Sequence, residues 1–309
     1  MFVVCGEALM DVFGVRDTPG GMDMDARVGG SPLNVALGLT RLGQRAAFVC
    51  TLSRDFLGER IVRFLQQEGV DLSLVQRSAS RTTLSLVGVD SKGVPAYSFY
   101  GEGAADRELD LRSLGELPET VRAIHLGSFA VAVQPVGTAL RQLVERERAR
   151  RLIVWDPNIR LNVQPDLAPW RELLEWMLPR CDIVKISDED LHLLLPGTSP
   201  EGFADKARAA GCSLVVVTRG AQGAVAWSRG AQAEVPAQPA DLVDTVGAGD
   251  TFQAAMLTWL AEGDRLSKQG PGALDARSLA RMLEFAARAA AITCSRRGAD
   301  LPRRDELPR

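Results

Sequence analysis

The chain is poor in lysine and poorer in histidine. Lys92, Lys185, Lys206 and Lys268 are its only lysines among 36 basic residues, set against 39 acidic ones for a net charge of −3. No basic stripe results, and without clustered positive charge nucleic acid is excluded as the main partner. The two histidines, His125 and His192, and five scattered cysteines, Cys5, Cys50, Cys181, Cys212 and Cys294, form no H-E-x-x-H, C-x-x-C or mixed ligand cluster. A zinc enzyme and a serine triad are therefore excluded, and the odd cysteine count suits a reducing compartment. No apolar run reaches the ~20 residues of a membrane span. Met1-Phe2-Val3-Val4-Cys5-Gly6 carries no basic leader, so the expected location is cytoplasmic with no membrane partner. Gly-Lys, G-x-G-x-x-G and G-x-S-x-G are missing too, which removes the Walker, dinucleotide and α/β-hydrolase readings.

Present instead is an ordinary globular balance, 46% hydrophobic and 24% charged over 309 residues. Short apolar runs alternate with helical patterns, the arrangement of a parallel sheet covered on both faces. Strands are expected at Phe2 to Val4, Ala46 to Leu52, Ile124 to Leu126, Leu152 to Trp155, Ile183 to Ile186 and Leu214 to Thr218, and Gly220 and Gly223 punctuate a short stretch at Ala224 to Trp227. Ser31 is expected to cap a helix that opens on Pro32. A second helix spans Phe56 to Glu68 with Phe56, Ile61, Phe64 and Leu65 inward, and others lie near Ala139 to Ala149, Thr251 to Glu262 and Leu279 to Thr293. Thr82 to Val89 and Val94 to Tyr100, joined by Asp90-Ser91-Lys92-Gly93, read as a hairpin inserted into this alternation. Residues 1–309 are read as one α/β domain, and Arg303 to Arg309 as a loose tail.

Ligands of open parallel sheets bind beyond the carboxyl ends of the strands. Those ends carry Asp11, Asp156-Pro157-Asn158, Lys185 to Asp188, Thr218-Arg219-Gly220 and Asp244 to Asp250. The most specific stretch is Asp244-Thr245-Val246-Gly247-Ala248-Gly249-Asp250-Thr251-Phe252, whose six defining residues would arise by chance about once in 10^5 chains. Phe252, Met256, Leu257 and Leu260 follow at helical spacing, so Gly247, Ala248 and Gly249 stand at a helix N-terminus where free amides form an anion pocket. Asp250 beside that pocket reads either as a first-turn acid or as a base for a hydroxyl attacking phosphorus. Gly29-Gly30-Ser31-Pro32-Leu33-Asn34 is a second glycine turn entering a helix, or a plain helix start.

These two glycine motifs, their order and their separation resemble the PfkB, or ribokinase-like, family of carbohydrate kinases over nearly the whole chain. Phe99-Tyr100 with Ala105-Asp106, Asp156-Pro157-Asn158 with Arg160, and Thr218-Arg219-Gly220 with Gly223 fall where that family has its connecting motifs. The resemblance implies a three-layer α/β/α sandwich with a mostly parallel central sheet and a small β-sheet lid, formed by segments near 12–28 and 82–105. It implies transfer of phosphate from ATP with Mg2+. Asp250 would be the general base and Gly247, Ala248 and Gly249 the anion pocket. Asp11, Gly29, Gly30, Asn34, Phe99 and Arg160 would face the sugar, and Lys185, Thr218, Gly220, Gly223 and Gly249 the nucleotide. Asp190 and Asp188 would hold Mg2+ through water, and Asp244 would hold K+. The edges of a small exposed sheet need covering, so two copies are expected to pair through the lid.

Two stretches depart from the pattern. Ser187-Asp188-Glu189-Asp190 replaces the N-x-x-E motif of many members, and Gly101-Glu102-Gly103 stands where many fructokinase relatives carry arginine. Gly6-Glu7-Ala8-Leu9-Met10-Asp11 and Asp156-Pro157-Asn158-Ile159-Arg160 look most like the fructokinase branch, which implies D-fructose as acceptor. A 2-keto-3-deoxygluconate kinase and a non-catalytic sugar-binding regulator are the alternatives.

Overall fold

In the central strands both faces are apolar, and alternate residues feed two separate cores. Val3, Ile124, Ile153, Val184 and Val215 belong to one, whereas Phe2, Ala123, Leu152, Ile183 and Leu214 belong to the other. Such strands need cover on both sides. A computed structural model of the chain, describing residues 1–89 and 95–308, supplies it.

The first half comprises β1 (Phe2–Cys5), β2 (Leu9–Thr18), β3 (Gly21–Gly29), α1 (Ser31–Arg41), β4 (Ala46–Val49), β5 (Thr51–Ser53), α2 (Phe56–Gln67), β6 (Gln76–Ser78), β7 (Thr83–Val89), β8 (Pro95–Tyr100), β9 (Ala123–Gly127) and α3 (Val136–Glu147). The second comprises β10 (Leu152–Asp156), α4 (Leu167–Met177), β11 (Ile183–Ser187), α5 (Asp188–Leu194), α6 (Pro200–Ala210), β12 (Leu214–Thr218), β13 (Ala224–Trp227), β14 (Gln232–Val235), α7 (Ala248–Glu262) and α8 (Ala276–Cys294). The large sheet runs β14-β13-β12-β11-β10-β9-β1-β4, parallel except where β13 and β14 join antiparallel at one edge. Helices α3 to α6 pack on one face and α1, α2, α7 and α8 on the other, which is the expected three-layer α/β/α architecture.

The segments near 12–28 and 82–105 come together in a second sheet of order β3-β2-β7-β8, with β2 parallel to β7 and the other pairs antiparallel. The expected turn Asp90-Ser91-Lys92-Gly93 lies outside the described residues. Among the described residues no helix is long and apolar enough to cross a membrane.

Three local expectations are corrected. The strand expected over Ala46 to Leu52 divides at Cys50, because β4 stays in the large sheet while β5 leaves it to pair with β6. Phe56 is not inward: it is 78% exposed at the first position of α2, where Asp55 caps the helix through the Gly58 amide and Ile61 and Leu65 supply the buried face. The stretch after Leu301 is no loose tail. Leu301 and Leu307 are buried, Arg304 pairs with Glu262 at 2.7 Å, and Arg303 reaches Glu68 at 3.1 Å.

Candidate active site

Helix α7 is apolar nearly all round and lies between α1 and α8, so its N-terminus is fixed from both sides. Gly247 caps it at φ +78°, and a Cβ there would stand 2.7 Å from Ala299 Cβ. Only glycine meets both the left-handed backbone and the close approach. The Ala248 amide, expected to be free, donates to Thr245 O at 3.2 Å because the turn into the helix closes on itself. The amides of Gly247 and Gly249 have no acceptor among the described residues, so the anion pocket narrows to those two.

Asp250 is the third residue of α7, buried, with both carboxylate oxygens engaged by α1. Ser31 Oγ donates to Oδ1 at 2.6 Å and Asn34 Nδ2 donates to Oδ2 at 2.8 Å. Ser31 therefore does not cap α1: Gly30 holds that position, and the hydroxyl, on the first helical residue, turns across to the neighbouring helix. The Asn158 Nδ2 donates into the same Ser31 oxygen at 2.5 Å. Burial raises the Asp250 carboxyl, opposed by Ser31, Asn34 and Arg160.

A cavity of about 460 Å³ opens in front of these groups. Asp11, Gly30, Asn34, Phe99, Arg160, Gly247, Gly249 and Asp250 line it, joined by Glu7, Ser31, Ser85, Phe129, Asn158 and Asn162. Gly29 stands behind Asp11, where a Cβ would meet the Asp11 carboxylate at 2.1 Å. Phe99 meets Phe129 edge to face with centroids 5.3 Å apart, forming an apolar wall. Arg160 acts on Glu7, Asp11, Asp190 and Asp250, lowering all four carboxyls against their burial. Glu7, which the sequence reading gave no role, is fully buried; its Oε2 has no partner among the described residues and desolvation pushes its carboxyl up to about 8. Its signal was an acid one glycine past the end of an apolar strand.

The remaining expected residues do not line this cavity. Lys185 is buried against Asp156, with its Nζ 3.8 Å from where a Gly249 Cβ would sit, beneath the α7 N-terminus. Thr218 ends β12, Gly220 lies in the turn that follows with open space beside it, and Gly223 packs on the main chain at Val235. Asp190 accepts from the Ile159 amide at 3.2 Å, and burial, with Asp156 adding repulsion, pushes its carboxyl up to about 6. A desolvated acid near another acid suits the hard-oxygen coordination of Mg2+. Asp188, two residues away and half-buried, accepts from the Glu189 amide at 3.0 Å, and among the described residues no cluster of three or more acidic, histidine or cysteine side chains is placed to hold a metal. Asp244, expected to hold K+, is fixed in its loop: its oxygens accept from the amides of Val246 (3.0 Å) and Gly298 (2.8 Å), and Arg27 donates to the neighbouring Arg297 carbonyl at 2.9 Å.

The model of the pfkB family carbohydrate kinases matches residues 1–306. A fructokinase of Rhizobium leguminosarum bv. trifolii is 34% identical over 279 residues, 90% of this chain and 85% of its own. The crystal structure of a fructokinase from Xylella fastidiosa superposes with a TM-score of 0.87 at 24% identity, covering 99% of this chain and 96% of its own, a likeness of fold. A protein from E. coli solved in complex with ATP and Mg2+ is 25% identical with a TM-score of 0.80, covering 96% and 94%. The chain belongs to the pfkB family of carbohydrate kinases. It is an ATP-dependent sugar kinase.

Proposed function

We propose that the chain phosphorylates the primary hydroxyl of D-fructose in the cytoplasm, giving fructose 6-phosphate and ADP. The observation that carries this reading is the buried Asp250 carboxylate at the mouth of the free Gly247 and Gly249 amides. The sugar oxygen attacks the γ-phosphorus of ATP, its proton passes to Asp250, and the bond to the bridging β–γ oxygen breaks. The Gly247 and Gly249 amides offset the negative charge at the transferring group, while Ala248 holds the turn that aims them. Asp11, Gly30 and Asn34 bind sugar hydroxyls, Arg160 holds an oxygen of sugar or phosphate, and Phe99 covers the apolar face of the ring. Thr218, Gly220 and Gly223 border the nucleotide, and Lys185 supports the anion pocket from beneath.

Asp190, with Asp188, would hold Mg2+ through water, and the bound ion would neutralise charge on the transferring phosphates. The four-stranded sheet acts as a lid that excludes water, without which ATP would be hydrolysed. Its outer surface carries exposed Val15, Met22 and Met24 on β2 and the edge strand β3, which supports pairing with the lid of a second copy.

The fructokinase relative supports the ketohexose. A coupled ADP-release assay over fructose, 2-keto-3-deoxygluconate, ribose and adenosine tests it. Fructose is expected to give the highest kcat/KM by at least tenfold, a preference for the keto acid would move the chain to the 2-keto-3-deoxygluconate kinase branch, and binding of fructose without turnover would make it a regulator.

A further inference from the structure

Asp250 takes its Oδ1 hydrogen bond from a hydroxyl that is itself constrained. A serine hydroxyl has one hydrogen, and an ionised carboxylate can only accept, so Ser31 gives that hydrogen to Asp250. The Ser31 oxygen then stands as an acceptor, which fixes Asn158 as the donor into it at 2.5 Å. Asn158 is held at φ +41°, a left-handed backbone uncommon for a residue with a side chain, directly after the Asp156-Pro157 end of β10. A one-way chain of donors thus runs from the central sheet to the carboxylate: Asn158 to Ser31 to Asp250.

We propose that Ser31, oriented by Asn158, is a positioning residue that holds Oδ1 of Asp250 in place and keeps the carboxylate ionised for the arriving sugar hydroxyl. The inference rests on the reading of Asp250 as base. The other charged groups facing Asp250 are Arg160, which favours its ionised form, Asp156 and Asp11, which oppose it, and Lys185 beneath Gly249. Burial acts on Asp250 in the same sense as those acids. Removing the Ser31 donor takes away one of the groups that counter them and leaves Asn34, Arg160 and the more distant Lys185, so the base takes up a proton at higher pH.

The test is the pH dependence of kcat. Ser31→Ala is expected to move the acidic limb up by about one to two pH units, as loss of a hydrogen bond to a charged group implies, with kcat recovering to within about threefold above the limb. Ser31→Thr keeps the hydroxyl and restores the parental limb. Asn158→Gly accepts the left-handed backbone and removes only the donor; it is expected to move the limb upward in the parent and to add nothing in Ser31→Ala. A limb within 0.3 unit of the parent in Ser31→Ala, or an Asn158→Gly shift of equal size in both backgrounds, overturns the proposal. Should Ser31→Ala fail to fold, Asn158→Gly in the intact chain decides, an unmoved limb again overturning it. Asp250→Asn separates the two readings: an active Asn variant removes the base assignment and this proposal together, whereas an inactive one combined with an unmoved Ser31→Ala limb removes the positioning role alone.

Discussion

Lys185 Nζ, from the middle of β11, and Asp156 Oδ2, at the end of β10, stand 2.5 Å apart with their side chains only 4% and 5% exposed. Asp156 Oδ1 has no partner among the described residues, and the charge of Asp156 raises Asp190 and Asp250 nearby. Removing the lysine alone would leave a buried, uncompensated carboxylate among other acids. Lys185→Met is expected to cost about 3–5 kcal/mol in urea unfolding, and Lys185→Met combined with Asp156→Leu to be milder than the single change. A single variant within about 1 kcal/mol of the parent would contradict the buried pair.

Glu7 gives a pH signature. The folded chain keeps its carboxyl protonated up to about 8, while the unfolded chain releases that proton near the ordinary 4.5. The stabilisation linked to Glu7 is therefore full below pH 4.5 and lost as pH rises through about 8, a slope of up to about 1.4 kcal/mol per unit. Asp106 and Asp190, each raised to about 6, act in the same sense at lower pH; His125, held down to about 3 by burial, acts oppositely below 6.5. Between pH 6.5 and 8 the thermal midpoint should fall in the parent and fall less in Glu7→Gln. Equal slopes in the two proteins would remove Glu7 as the cause.

The corrected C-terminal stretch carries its own prediction. Leu301 and Leu307 are buried and Arg304 grips Glu262, so deleting residues 301–309 should cost about 3–5 kcal/mol, chiefly as apolar burial. Calorimetry of the truncated chain tests this, and an unchanged midpoint would restore the loose tail.

Much of the architecture was legible because fully buried parallel strands read as apolar runs, and the glycine-rich entry to α7 has a composition few other structures require. What sequence spacing could not show was where side chains turn. Ser31 before Pro32 has the local chemistry of a helix cap, yet its hydroxyl serves a carboxylate 219 positions away. The Ala248 amide looked free until the Thr245 carbonyl folded beneath it. Phe56 carried the helical apolar period, but Asp55 starts the helix so that this ring projects outward. Glu7 stayed unassigned since nothing local separates a buried acid from a solvated one.

The transfer of the sugar's proton to Asp250 is tested most directly by Asp250→Asn, which keeps shape and removes basicity. With saturating ATP and Mg2+, turnover of fructose is expected to fall by about 10^2 to 10^4 while the fold persists by circular dichroism. Turnover within threefold of the parent would contradict the account.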